Sequence, residues 1–147
     1  MPKVFHASRL RTGRVSISGQ VYHVTTATHG RERTFESMYA ARSVIRSLMF
    51  AERRGDGRTL AFVLMPDHLH WMVELGDGLS ISRVVQQMKL FSAREIGYRV
   101  WQRGFHDHAL RADEDIAQVA RYLIANPLRA GLVQRVADYP HWDAVWV

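Results

Sequence analysis

The sequence predicts an α+β domain, on three observations. Runs of β-branched and aromatic residues with period-two alternation are interleaved with runs of helical periodicity. Their order is strand, helix, strand, strand, helix, strand, helix. Gly, Pro and Asp clusters fall between them. This split βαβ order implies a ferredoxin-like antiparallel sheet with helices packed on one face. The 147 residues suit one domain. It reads as a basic N-terminal arm (1–19), a core (20–127) and a C-terminal tail (128–147).

Each element has its own warrant. The arm carries Arg9, Arg11 and Arg14 close together, with Gly13 and Gly19. Residues 21–28, "VYHVTTAT", alternate and are rich in β-branched and aromatic types, which predicts the first strand. Ser37 is placed to cap a helix in which Met38, Ala41, Val44, Ile45, Leu48 and Met49 recur at helical spacing. Gly55 and Gly57 end it. "RTLAFVLMP" and "HLHWMVEL" read as second and third strands, turned at Pro66 and Asp67. A second helix over 80–97 has the stripe Ile81, Val84, Val85, Met88 and Phe91, leaving Lys89 and Arg94 to its other side. Residues 105–111 alternate as a fourth strand. A third helix begins with acidic residues, as the macrodipole favours, and Pro127 bounds it. The tail reads as coil with apolar anchors.

Composition narrows the partners. There is no cysteine, so disulfides and thiolate metal sites are excluded. The first residues lack the apolar segment of a secretory signal, and no apolar stretch approaches a membrane span. A cytoplasmic location is the expectation. The net charge is +6, and all the basic side chains except Lys3 and Lys89 are arginine. Guanidinium groups contact phosphate in bidentate fashion and stack on bases, which makes nucleic acid the leading partner.

The chemistry concentrates in a few residues. On the third strand His68 and His70 share a face, so two imidazoles could converge on one cation. A pair of structural histidines has the same spacing, and two ligands alone make a weak site. On the third helix Tyr122 and Asn126 stand at i, i+4. Asn126 offers an amide oxygen to a cation, and Tyr122 a phenol that could act as a nucleophile. Equally, Tyr122 could cap the apolar stripe and Asn126 the helix end. His106 and His108 repeat the strand spacing around Asp107, flanked by Arg103 and Arg111. A second metal site fits that pattern less well than an edge contacting phosphates or bases.

Three stretches in order, "FVLMPDHLHWMVEL", "WQRGFHDHALR" and "ARYLIANPLRAGLV", resemble the REP-associated tyrosine transposases, within the wider single-tyrosine HUH transposases. The resemblance covers about residues 20–142. It implies that His68 and His70, the His-hydrophobic-His step, bind Mg²⁺ or Mn²⁺, with Asn126 completing the site. It implies that Tyr122 is the nucleophile, attacking a phosphate polarised by the metal and forming a 5′-phosphotyrosine link and a free 3′-OH. The implied substrate is single-stranded DNA folded as a hairpin, a REP-type palindrome with a flanking tetranucleotide. Arg9, Arg11 and Arg14 become candidates for reading that tetranucleotide. Lys89, Arg94, Arg103 and Arg111 become candidates for holding the hairpin. Asp67 departs from the pattern, since an amide is frequent there; a carboxylate adds negative charge beside the metal.

Two other readings compete. One is a domesticated, catalytically idle hairpin-binding protein, which would not need Tyr122. The other is an RNA-binding ferredoxin-like domain, which would need exposed sheet aromatics. A monomer is favoured from the resemblance, with a dimer that exchanges tyrosine helices as the alternative.

Overall fold

The computed structural model describes residues 18–111 and 114–146. Arg9, Arg11 and Arg14 lie outside the described residues. The elements are β1 (Val21–Ala27), α1 (Met38–Arg54), β2 (Gly57–Met65), β3 (His68–Leu75), α2 (Ile81–Ile96), β4 (His106–Ala109), α3 (Ile116–Ile124), α4 (Asn126–Arg129) and β5 (Trp142–Ala144). They form one sheet in the order β4-β1-β3-β2-β5, and every neighbouring pair is antiparallel. With β3 inserted between β1 and β2, the α+β ferredoxin-like architecture is present.

Capping explains where the helices start and stop. The Ser37 hydroxyl accepts from Ala40 N–H (3.2 Å), and the Ser80 hydroxyl does the same for Arg83 N–H (3.2 Å). Gly55 and Gly97 close α1 and α2 at φ +80° and +97°, where a side chain would be strained. The apolar stripe of α1 is narrower than the spacing predicts. Ala40, Ala41, Val44, Ser47, Leu48 and Ala51 are buried, while Met38 and Met49 are exposed. Small residues on that stripe let the helix lie close to the sheet.

The sheet is covered on both faces. Tyr22, Val24, Leu69, Trp71 and Val73 point into the core beneath α1 and α2. Val21, Val63, Met65 and Met72 point the other way, under Ala120, Leu123 and Ile124 of α3. Helices on one face is thus a description of α1 and α2; α3 covers part of the opposite face. The alternation of His68, His70 and Met72 with Leu69, Trp71 and Val73 assigns both histidines to the α3 side.

Three local expectations are corrected. The fourth strand is shorter than 105–111, spanning His106–Ala109. The tail is not all coil: β5 pairs with β2, because Leu64 N–H donates to His141 O (2.9 Å) and Val145 N–H to Leu60 O (2.9 Å). The Tyr139 hydroxyl also donates to Leu64 O (2.6 Å). Pro127 does lie beyond the end of the third helix, but not in coil: it stands in the first turn of a further short helix, α4, where a missing N–H costs nothing. The break at Ala125 puts Tyr122 and Asn126 on two helical segments.

One glycine is fixed by a close approach. A Cβ on Gly76 would sit 2.0 Å from Gly55 O and 3.1 Å from Asp56 O. Gly76→Ala is therefore expected to destabilise the fold by about 1–3 kcal/mol or more, read as a lower urea midpoint with the slope unchanged.

Candidate active site

Register builds the site. On the α3 face, Thr25 of β1 lies opposite His70 of β3 on one side and His106 of β4 on the other. His23 lies opposite Met72 and His108, and Ala27 opposite His68. Five histidines from three strands therefore share one face. The His68 and His70 rings meet edge to face with centroids 4.9 Å apart.

Both imidazoles are anchored through Nδ1. His68 Nδ1 is 2.7 Å from Asp67 Oδ1, and Asp67 Oδ2 accepts from Arg31 Nε (3.1 Å). Partial burial works to raise the Asp67 carboxyl, but the bonds from His68 and Arg31 outweigh it and hold it below its ordinary range. Asp67 is thus tied between a histidine and an arginine. His70 Nδ1 is 3.1 Å from His23 Nε2 and 3.2 Å from Thr25 Oγ1. Burial, reinforced by His23, His68 and Arg129, lowers the His70 pKa to about 3. Burial, reinforced by His108, lowers His23 to about 4.

These features suit a divalent cation. A metal-ligating imidazole must be neutral, with its other nitrogen held by a fixed partner. His70 is neutral at physiological pH, and these bonds engage Nδ1 of each ring, not Nε2. Among the described residues no trio of His, Asp or Glu gathers to hold a metal. An amide oxygen is a donor of another type that a hard cation accepts.

Asn126 carries such an oxygen, already in use. Its Nδ2 donates to Leu123 O (2.8 Å), and its Oδ1 accepts from an Arg129 guanidinium nitrogen (2.9 Å). An amide oxygen has a second lone pair. Arg129 also lies over the Tyr122 ring, 3.8 Å from its centroid. It is near enough to His70 to act on that ring's charge. Tyr122 itself is 68% exposed, so it does not cap the apolar stripe. Sequence reasoning missed Arg129; the spacing of Tyr122, Asn126 and Arg129 (i, i+4, i+7) was the available signal.

A cleft of about 450 Å³ opens beside the histidines, lined by Thr25, Arg31, His68, His70, Arg103 and His106 among others. Arg103 is thus at the site. Arg111 is past the end of β4, its N–H bonded to Glu114 (2.8 Å), and Glu114 is 3.4 Å from His108 Nε2. Lys89 and Arg94 do not join the cleft. The Lys89 ammonium donates to Gln102 O (3.1 Å) and Gly104 O (2.6 Å), fastening the loop before β4. Arg94 lines a groove between α1 and α2, in the layer on the other side of the sheet.

The two depressed histidines make acid unfolding predictable. In the folded state His23 and His70 stay neutral down to about pH 4 and 3. The unfolded chain protonates both near pH 6.5. The unfolded state therefore binds more protons between those limits, so stability falls as pH falls. Denaturant titrations should show a loss on the order of 3 kcal/mol from each of the two histidines between pH 7 and pH 4, with a shallower slope in His23→Phe.

Known proteins carry the same framework. The family model "Transposase IS200 like" matches residues 16–124. The REP-associated tyrosine transposase of Escherichia coli (strain K12) is 33% identical over 82 residues, 54% of this chain and 50% of that protein. A Haemophilus influenzae protein given the same description provisionally is 29% identical over 99 residues, 56% of each chain. The matched region thus spans about half the length of these relatives. A solved REP-associated tyrosine transposase, bound to a REP hairpin, superposes with a TM-score of 0.75 at 24% identity, over 88% of this chain and 79% of that one. That likeness is one of fold. The family match spans most of the chain, including both histidines and the tyrosine, and the chain belongs to the IS200-like transposase family.

Proposed function

We propose that the chain is a metal-dependent, single-tyrosine enzyme that nicks and rejoins single-stranded DNA, acting on hairpin-forming REP-type palindromes with a flanking tetranucleotide. One observation carries this reading. His68 and His70 are anchored side by side on the sheet face that α3 partly covers, and Arg129, which lies over the exposed Tyr122 ring, acts on the charge of His70. The relative solved with a REP hairpin supports the choice of substrate. The same linkage favours a monomer, since Tyr122 need not come from a second copy.

His68 and His70, with Asn126 Oδ1, would hold Mg²⁺ or Mn²⁺, which supplies Lewis-acid polarisation of a phosphodiester. Arg103 and Arg31 at the cleft would hold the strand by its phosphates. Tyr122 Oη attacks phosphorus. The new Tyr–O–P bond replaces the P–O3′ bond, giving a 5′-phosphotyrosine and a 3′-OH. The phenol proton leaves to solvent and the departing 3′ oxygen gains one. The reverse attack by a 3′-OH rejoins the strand without ATP, since the phosphotyrosine conserves the ester. The Arg129 guanidinium over the ring favours negative charge as it develops on the phenol oxygen.

The test is cleavage of a labelled single-stranded palindrome with Mg²⁺ or Mn²⁺, run on a denaturing gel with and without protease. Wild type should give a nick and a protease-sensitive, slowly migrating adduct. Tyr122→Phe should lose at least about 10³-fold in rate while still binding the hairpin. Cleavage by Tyr122→Phe at the wild-type rate would remove Tyr122 from the mechanism. Hairpin binding with no nick under either metal would favour the idle DNA-binding reading.

A further inference from the structure

His68 and His70 are anchored by different chemistry. Asp67, a carboxylate, meets His68 Nδ1 at 2.7 Å. His70 Nδ1 meets another imidazole, His23 Nε2, at 3.1 Å, with the ring centroids 5.3 Å apart. A carboxylate can only accept, so it settles its histidine's tautomer outright. A neutral imidazole can accept or donate. A single proton sits between His70 Nδ1 and His23 Nε2, and which ring owns it decides what His70 can do. If His70 owns it, His70 Nε2 keeps its lone pair. If His23 owns it, His70 Nε2 must carry a proton and cannot bind a cation.

We infer that His23 is a positioning residue for His70: it accepts through Nε2 from His70 Nδ1–H and so keeps the His70 Nε2 lone pair directed to ligand binding. This rests on the proposed metal role of His70, and extends it to a residue on a different strand. Thr25 Oγ1 supports the arrangement, lying 3.2 Å from His70 Nδ1 and 3.5 Å from His23 Nε2, so it can accept a share of the same proton. The β1–β3 register brings Thr25 directly opposite His70 and sets His23 two residues away on the same face. The arrangement has an electrostatic logic. Each carboxylate in a phosphate-binding cleft repels the anionic substrate. Asp67 has Arg31 beside it to offset its charge. A neutral His23 orients His70 without adding a second negative charge.

Two readouts test this. Long-range ¹H–¹⁵N NMR of the metal-free, DNA-free full chain reads the His70 tautomer directly. The proton is expected on Nδ1; a proton on Nε2 overturns the inference. Mn²⁺ binding, followed by the EPR signal of the free ion, is then compared among variants. His23→Phe keeps a ring but removes the acceptor, and should weaken binding about 10- to 100-fold. His23→Gln restores an accepting oxygen and should recover most of that loss. Equal Mn²⁺ affinity in wild type and a folded His23→Phe overturns the inference. His70→Ala separates it from the metal reading. If His70→Ala binds Mn²⁺ as wild type does, His70 is no ligand; the metal assignment and the ligand-orienting role of His23 both fall, even with an Nδ1–H tautomer.

Discussion

β3 is hydrogen-bonded along both edges, and its register decides what every other part of the site can do. Side chains alternate along a strand, so a slip of one residue would turn His68 and His70 under α1 and α2 and bring Leu69 and Trp71 to the α3 face. Both neighbours oppose that slip. Trp71, Leu69 and Val73 fill the core on one side, and the Trp71 indole N–H donates to Thr59 Oγ1 (3.0 Å). The energy that fixes the register is mainly apolar burial on the face away from the site. The side that carries the chemistry can therefore hold polar groups.

That polar face is arranged around neutral nitrogen. Burial keeps His23 and His70 uncharged, and the carboxylate that holds His68, Asp67, is offset by Arg31. The arginines lie at the edges: Arg31 and Arg103 on the cleft, Arg129 on Tyr122. Such a distribution draws an anion in without placing a fixed positive charge where a cation would bind. Arg129 ties the helical side to the sheet side, since it stacks on Tyr122, donates to Asn126 and acts on His70.

The strand alternation at His68–Met72 was readable from residue types because period two is a local property. So was the helix capped by Ser37. The crossover order implied the sheet, since few topologies accommodate it. The placement of α3 on the opposite face was not readable, because an amphipathic stripe says that a helix is buried, not against which surface. β5 escaped for a similar reason: three residues carry too little periodicity, and their pairing partner lies some 80 positions earlier. His23 looked like one polar residue in an alternating strand. Only the β1–β3 register sets it beside His70. The basic residues were the least readable, because exposure and direction decide their role. Lys89 fastens a loop and Arg94 lies on the far layer, while Arg129 stands at the site.

The central claim is that the His68–His70 pair on this face forms a cation site beside Tyr122. The most direct measurement is a crystal structure of the chain soaked in Mn²⁺, with anomalous differences collected near the manganese edge. The account predicts a peak bound by Nε2 of both His68 and His70, with Tyr122 of the same chain adjoining it. A peak elsewhere, or both imidazoles left unligated in crystals of protein that cleaves DNA in solution, would contradict it.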